Sequence, residues 1–357
     1  MGNWFTYNNA VVGHHKNPFT SKLLNLCISK LKNQNENKTS KETISTSPSI
    51  AISPPTTTTI PLISTRRHFS LLTGKLNSLH DIRDYDYYYG DGFLWNSYLH
   101  NNEVVIYIHG VWTKHASAKE QVDRTRLSLY ANGYNIPIIG FSWDSNTAIN
   151  PSGWSIAKFI ANKNGPKIAK FISDFKNNYP NVNIRIIAHS LGAKVVESAL
   201  ITLNNDNNQK WKKDTLYNIA SIHLIGAAIN DKSVSKKTPF GNAIENIVNK
   251  FYNLYNPEDN ALKHAYVKTE NQNPLGLYGL KKGEPFPINY TECNVKFEIP
   301  PLKRASGIYQ SFCDKAVYGW GDNHCGYIGF REHYPFNRFL KDDGAINVIV
   351  TDWRNRC

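Results

Sequence analysis

Between residues 104 and 255 the chain alternates short β-branched runs with helical patterns, and that alternation admits very few folds. Val104–Ile108, Ile136–Trp143, Val182–Ala188, Ile219–Ile229 and Lys250–Tyr255 each read as a buried strand. All are far shorter than the ~18 uninterrupted apolar residues a membrane-spanning helix needs. Helical patterns fill the gaps. Ser117-x-x-Glu120 reads as a capping box that opens a helix running through Tyr130. Pro166 reads as a first-turn residue of a helix in which Ile168, Phe171, Ile172 and Phe175 recur at i, i+3, i+4 and i+7. Further helices are expected over Leu191–Thr202 and Asn242–Asn249. Strands joined through helices run parallel, so the expected fold is α/β, a mainly parallel central sheet with helices on both faces.

The first 65 residues do not share this pattern. Residues 1–32 hold a weak apolar cluster around Leu23, Leu24, Leu26 and Ile28, without the charged start and small-residue cleavage site of a secretory signal. Residues 33–65 are rich in Asn, Lys, Ser, Thr and Pro, a composition that cannot bury enough apolar area to offset its ordering entropy. They read as a disordered linker, with the folded domain spanning 66–357. Arg66-Arg67-His68-Phe69 has the look of a twin-arginine export signal, but Lys75, Asn77 and His80 interrupt the apolar helix that should follow. With no evident signal or spanning helix, the cytoplasm is the favoured compartment.

Composition narrows the function classes. The formal net charge is +13, yet charged residues are only 19 % of the chain, and the Lys and Arg are dispersed. No dense basic block tracks a phosphate backbone, so no nucleic-acid partner is expected. A solvated basic surface is preferred over weak association with anionic surfaces. The five cysteines form no CxxC pair, and one disulfide within 293–325 competes with reduced thiols. The chain has no GxxxxGK[ST], no complete GxGxxG (Gly90-Asp-Gly92 stops short) and no HExxH. His14-His15 and His324-Cys325 are weak metal candidates, and the expectation is no cofactor and no metal.

The chemistry concentrates at Ile184–Ala193, where a serine stands between small residues at the joint of a buried strand and a helix. Such a turn is so tight that the residues two before and two after the serine must be small; here they are Ala188 and Gly192. It would lift the Ser190 hydroxyl clear of the sheet beside the N–H groups of a helix N-terminus. An ordinary helix-capping serine is the competing reading. A nucleophilic serine needs a base, and His324 in the polar turn Gly321–Tyr327 is the candidate, ahead of His223, His264, His333, His189 and His109. The carboxylate that would hold the base is Asp259, just past the fifth run, with Asp231 and Glu258 as alternatives. Oxyanion donors are expected from the backbone N–H of Leu191 and of Val111 or Trp112.

With these residues assembled, the chain resembles the α/β-hydrolase family, specifically its lipase- and esterase-like members, over residues 100–335. Ala188-His-Ser-Leu-Gly-Ala193 is similar to the Gly-His-Ser-Leu-Gly-Ala elbow of lipases, with Ala188 in place of the first glycine. The chain order Ser190, Asp259, His324 matches the family's order of nucleophile, acid and base. Phe141–Asp144, Pro274–Gly279 and Asn323–Tyr327 look like segments of a poorly characterised branch of these hydrolases. The resemblance implies a serine hydrolase, with cleavage of small-molecule or lipid acyl esters as the default. A non-catalytic binding protein on the same fold and a lipid-surface acylhydrolase or acyltransferase are the alternatives. Residues 260–320 are long enough to form a cap or lid over the site.

Overall fold

The structure is a computed structural model and describes residues 60–88, 102–205, 217, 219–299, 324–328 and 344–354. The chain divides into two units, Met1–Ile50 and Ala51–Cys357. The first lies outside the described residues, and every element below belongs to the second.

Eight strands form one sheet: β1 (Leu62–Ser64), β2 (Asp86–Tyr88), β3 (Glu103–Ile108), β4 (Ile138–Ser142), β5 (Asn183–His189), β6 (Ser221–Ile225), β7 (Phe251–Tyr255) and β8 (Tyr290–Asn294). Their order is β2-β1-β4-β3-β5-β6-β7-β8. The β1–β2 pair is antiparallel, and all other neighbours run parallel. Helices α1 (His115–Ala131), α2 (Pro151–Asn178), α3 (Gly192–Asn204) and α4 (Pro239–Ile247) make the crossovers, and α7 (Ile346–Arg354) follows near the C-terminus. Between β7 and β8 lie a π-helical turn (Leu262–Tyr266), α5 (Val267–Glu270) and α6 (Leu275–Tyr278). The five expected strands are the five central ones, and the α/β architecture is as the pattern predicts.

Register fixes where a site can form. Ile108 pairs with Ala188, His189 with Ile225, and Ile225 with Leu254. Strands β3, β5, β6 and β7 therefore end nearly level, and the residues just past them share one rim. The side chains of Ile106, Ile184, Ile222 and Leu224 are wholly buried, each worth roughly 1.5–3 kcal/mol of transfer free energy. The stripe Ile168, Phe171, Ile172 and Phe175 is buried in the same core, not presented to a membrane.

Four local expectations change in the structure. Ser117 does not cap a helix: α1 begins two residues earlier and Ser117 is buried within it, because the loop after β3 is short. Pro166 does not open a helix but lies inside α2, whose N-terminus is set by Asn150 accepting the Gly153 N–H at 2.7 Å. A proline there leaves the Asn162 carbonyl without its helical donor. The Ser198 hydroxyl of α3 takes that place at 2.6 Å, so the helix continues.

The linker expectation of 33–65 is too long at its end, since β1 is buried beside β4 and residues 60–65 belong to the domain. Residues 33–59 lie outside the described residues. The cap expectation of 260–320 also needs correction, because Tyr290–Asn294 pairs with β7 as the edge of the sheet. Residues 300–320 lie outside the described residues.

Candidate active site

The serine sits on a strained joint. Ser190 has φ +55°, the left-handed region that side chains normally avoid. Its N–H donates to Ile225 O at 3.0 Å and its carbonyl accepts from Ala228 N at 3.1 Å, so the neighbouring strand holds the turn. Gly192 shows why the next position but one must be small: a Cβ there would lie 2.7 Å from Ile108 O and 2.9 Å from His109 O. Strand β5 and helix α3 can meet at this angle only with a bare backbone at 192.

Asp259 and His324, 69 and 134 positions further along the chain, converge on that serine. His324 Nε2 lies 2.8 Å from Ser190 Oγ, and His324 Nδ1 lies 2.7 Å from Asp259 Oδ2. All three residues are buried. Asp259 stands just past β7 and also accepts the Leu262 N–H at 3.0 Å and the Tyr327 hydroxyl at 3.3 Å. Burial, reinforced by Asp259, pushes the Tyr327 phenol well above its usual range, so it stays a donor. His189 donates from Nε2 to the His324 carbonyl at 2.8 Å. Burial, with His324 beside it, brings the His189 imidazole down to about 3, which keeps it neutral at physiological pH. Its hydrogen bond ties the loop that carries His324 to the residue before Ser190.

The loop expected to supply oxyanion donors follows β3. Leu191 N–H and Val111 N–H have no acceptor among the described residues, as an oxyanion site requires. Trp112 does not fit its expected alternative role: its N–H donates to Ser145 O at 2.8 Å. Its φ of +55° turns the peptide toward the loop after β4. Its indole is packed against Trp154 with centroids 6.0 Å apart and donates to Ala148 O at 3.2 Å. Gly110 passes so close to the serine that a Cβ there would lie 2.8 Å from Ser190 Cβ.

A family model described as an alpha/beta hydrolase of unknown function (DUF900) matches residues 96–282. The chain belongs to this alpha/beta hydrolase family. The matched span contains Ser190 and Asp259 and ends before His324. A curated relative, an uncharacterized protein (alr1448) of Nostoc sp., is 24 % identical over 158 residues, 38 % of this chain. The match spans only 41 % of that relative's length. The crystal structure of the lin2722 gene product from Listeria innocua aligns with 53 % of this chain and 82 % of its own, at 15 % identity and a TM-score of 0.31. A likeness at that level supports nothing here.

The remaining candidates of this hydrolase take other places. Asp231 lies past β6 in a polar recess of about 270 Å³ with Asn230, Gln272, Asn273 and Lys281. Glu258 pairs with Lys296. His223 is a buried residue of β6 and His264 lies in the π-helical turn; His333 and the His14-His15 pair lie outside the described residues. Cys325 is disulfide-bonded, whereas Cys293 is buried and not in a disulfide.

Among the described residues, His68, His80 and Asp84 form a group with metal-binding atom types. Their geometry argues against a shared ion. The imidazoles are stacked with centroids 3.6 Å apart and an interplanar angle of 14°, so no ion can lie in both ring planes. Asp84 is also already paired with the buried Lys167 of α2. The cluster serves as a clasp: His68 and His80 approach the two oxygens of Asp84 at 3.3 and 3.0 Å, and Lys167 fixes the arm to α2. No helix among the described residues is long and apolar enough to cross a membrane.

Proposed function

We propose that the protein hydrolyses carboxylic esters through an acyl-enzyme on Ser190. The observation that carries this reading is the continuous chain Ser190 Oγ–His324–Asp259, with contacts of 2.8 and 2.7 Å, built on a serine at φ +55°. A serine that merely capped a helix would need neither the strained backbone nor a buried imidazole on its oxygen.

In the first half-reaction His324 Nε2 takes the hydroxyl proton as Oγ attacks the acyl carbonyl carbon. Asp259 holds the Nδ1–H tautomer beforehand and stabilises the imidazolium that forms. The tetrahedral oxyanion is met by the N–H groups of Leu191 and Val111, each such donor worth roughly 3 kcal/mol of barrier. Collapse breaks the acyl carbon–alkoxy oxygen bond, and His324 returns the proton to the departing alcohol. In the second half-reaction His324 deprotonates a water that attacks the acyl carbon, releasing the acid and restoring Ser190. Small-molecule or lipid esters are the substrate class of this reading.

The test is a series of straight-chain p-nitrophenyl esters, acetate to palmitate, assayed with wild type and Ser190→Ala. Acid-quenched wild type should carry one acyl mass on the peptide containing Ser190. Turnover that survives unchanged in Ser190→Ala would exclude the mechanism.

A further inference from the structure

The Arg66-Arg67 dipeptide, which in sequence has the look of an export signal, lies against the oxyanion loop. Arg66 follows β1 and reaches three groups: Nε donates to Ser142 Oγ at 2.8 Å, and Nη2 donates to Thr113 O at 2.9 Å and meets His109 Nε2 at 3.1 Å. The Asp144 carboxylate draws in the same arm by accepting the Arg67 and Phe69 N–H groups at 3.0 and 2.8 Å.

These contacts settle the protonation of His109. Its Nε2 faces two groups that can only donate, the Arg66 guanidinium and the Trp143 N–H at 3.1 Å. Nε2 must therefore carry the lone pair and Nδ1 the proton. The ring is buried and lies parallel to Trp143, with an interplanar angle of 3° and centroids 5.5 Å apart. Burial, and then the Arg66 charge, holds the imidazole well below its usual range, so it stays neutral. Burial also lowers the Arg66 guanidinium, with Asp144 opposing, but only to about 10, so it remains charged at neutral pH.

The Nδ1 proton has one place to go. It lies 2.8 Å from the carbonyl oxygen of Gly110. That carbonyl and the Val111 N–H are the two edges of a single peptide plane, and among the described residues no peptide is cis. Gripping the carbonyl therefore orients the N–H on the opposite edge, the N–H that has no acceptor. The same peptide passes beside Ser190. A guanidinium drawing on Nε2 also strengthens Nδ1–H as a donor, and the effect passes along the hydrogen-bonded chain.

We infer that Arg66 and His109 are positioning residues that hold and polarise the Gly110–Val111 peptide, so that the Val111 N–H receives the oxyanion. The inference rests on the acyl-transfer reading of the site. It assigns the arm before β2 a part in transition-state stabilisation, and Arg66 acts through His109 without touching substrate.

The test compares wild type, Arg66→Met and Arg66→Lys by ester kinetics, thermal melting and affinity for an alkylboronic acid, which forms a tetrahedral adduct on Ser190. Arg66→Met should lower kcat about ten-fold, less than the ~10²–10³ seen when a donor is removed outright. KM should stay within about two-fold, and boronate affinity should fall in step with kcat. Arg66→Lys, which keeps the charge, should recover part of both losses. Wild-type kcat and boronate affinity in a folded Arg66→Met would overturn the inference. A wild type that neither hydrolyses esters nor binds boronate would instead sink the acyl-transfer reading, and the inference with it. Nitrogen-15 NMR of the wild-type imidazoles supplies a readout independent of turnover. His109 should show a protonated Nδ1 and a bare Nε2, and a proton on Nε2 would overturn the assignment.

Discussion

At the carboxyl ends of the strands His324 lies 2.7 Å from Asp259; toward the amino ends, under α7, His223 in the middle of β6 lies 3.5 Å from Asp352. Both pairs are buried, yet their surroundings differ in kind. The first faces a serine on strained backbone and two N–H groups with no acceptor among the described residues. The second is enclosed. His223 stacks on Tyr252 at 4.7 Å and meets Trp353 edge-on at 5.6 Å. Tyr252 donates to Asp352 at 2.5 Å, and Arg185 bridges Ser221 and Glu103 at 3.0 and 3.2 Å. Positive-φ backbone at the serine and two adjacent backbone N–H groups without an acceptor among the described residues mark the end read as chemical. The other end also leaves atoms unmet, Arg185 Nε and the His223 nitrogens, but seals them among paired charges under α7. Residue types alone do not distinguish the two.

Substitutions at the two ends should therefore separate activity from stability. The largest effect is expected for Asp259→Asn, which leaves His324 free to take the wrong tautomer and should lower kcat by about 10⁴ with little change in thermal melting. A loss of less than ten-fold would remove Asp259 from the mechanism.

Arg185→Met should do the reverse. It removes the cationic partner of buried Glu103, which keeps the Tyr134 hydroxyl at 2.6 Å, and should cost about 3–5 kcal/mol in urea unfolding, while kcat per folded molecule stays at the wild-type value. An equal loss of kcat would mean that the two ends are coupled.

The pH dependence of stability sharpens the comparison further. Burial is the leading cause that lowers His109, His189 and His223 in the folded state, so below pH ~6.5 the unfolded chain binds protons that the folded chain refuses. Stability should fall as pH drops through 6.5, by up to about 1.4 kcal/mol per pH unit for each such histidine. Asp352 adds a later loss: burial opposes ionisation, but His223, Tyr252 and Lys250 outweigh it and carry the carboxyl down to about 2. Its contribution is present above about pH 4 and disappears between there and pH 2. In His223→Leu the onset near pH 6.5 should be shallower, and an unchanged profile would show that His223 is not held neutral.

The sequence makes the centre of this molecule legible and its margins obscure. Strands β3 to β7 are buried on both faces, so their β-branched runs are continuous and easy to see. Strand β8 is an edge in which only Tyr290 and Cys293 are buried, and β1 has only three residues after a polar run. Neither carries a periodic signal. Ser190 and Asp259 are readable because each follows a strand that itself can be read, and His324 because it stands in a polar turn after both in chain order. Arg66 and Tyr327 are not, since their partners lie 43 and 68 positions away and are set by packing. Trp112 fails as a donor for the same reason, because Ser145 meets it only once β3 and β4 are paired.

The central claim is that Ser190 is an activated nucleophile. The most direct measurement is fluorophosphonate labelling of the purified full chain, mapped by peptide mass spectrometry, beside Ser190→Ala and Arg185→Met. The account predicts one label on Ser190, kept in folded Arg185→Met and absent from Ser190→Ala. A folded wild type that takes no label, or takes it on another residue, would contradict it.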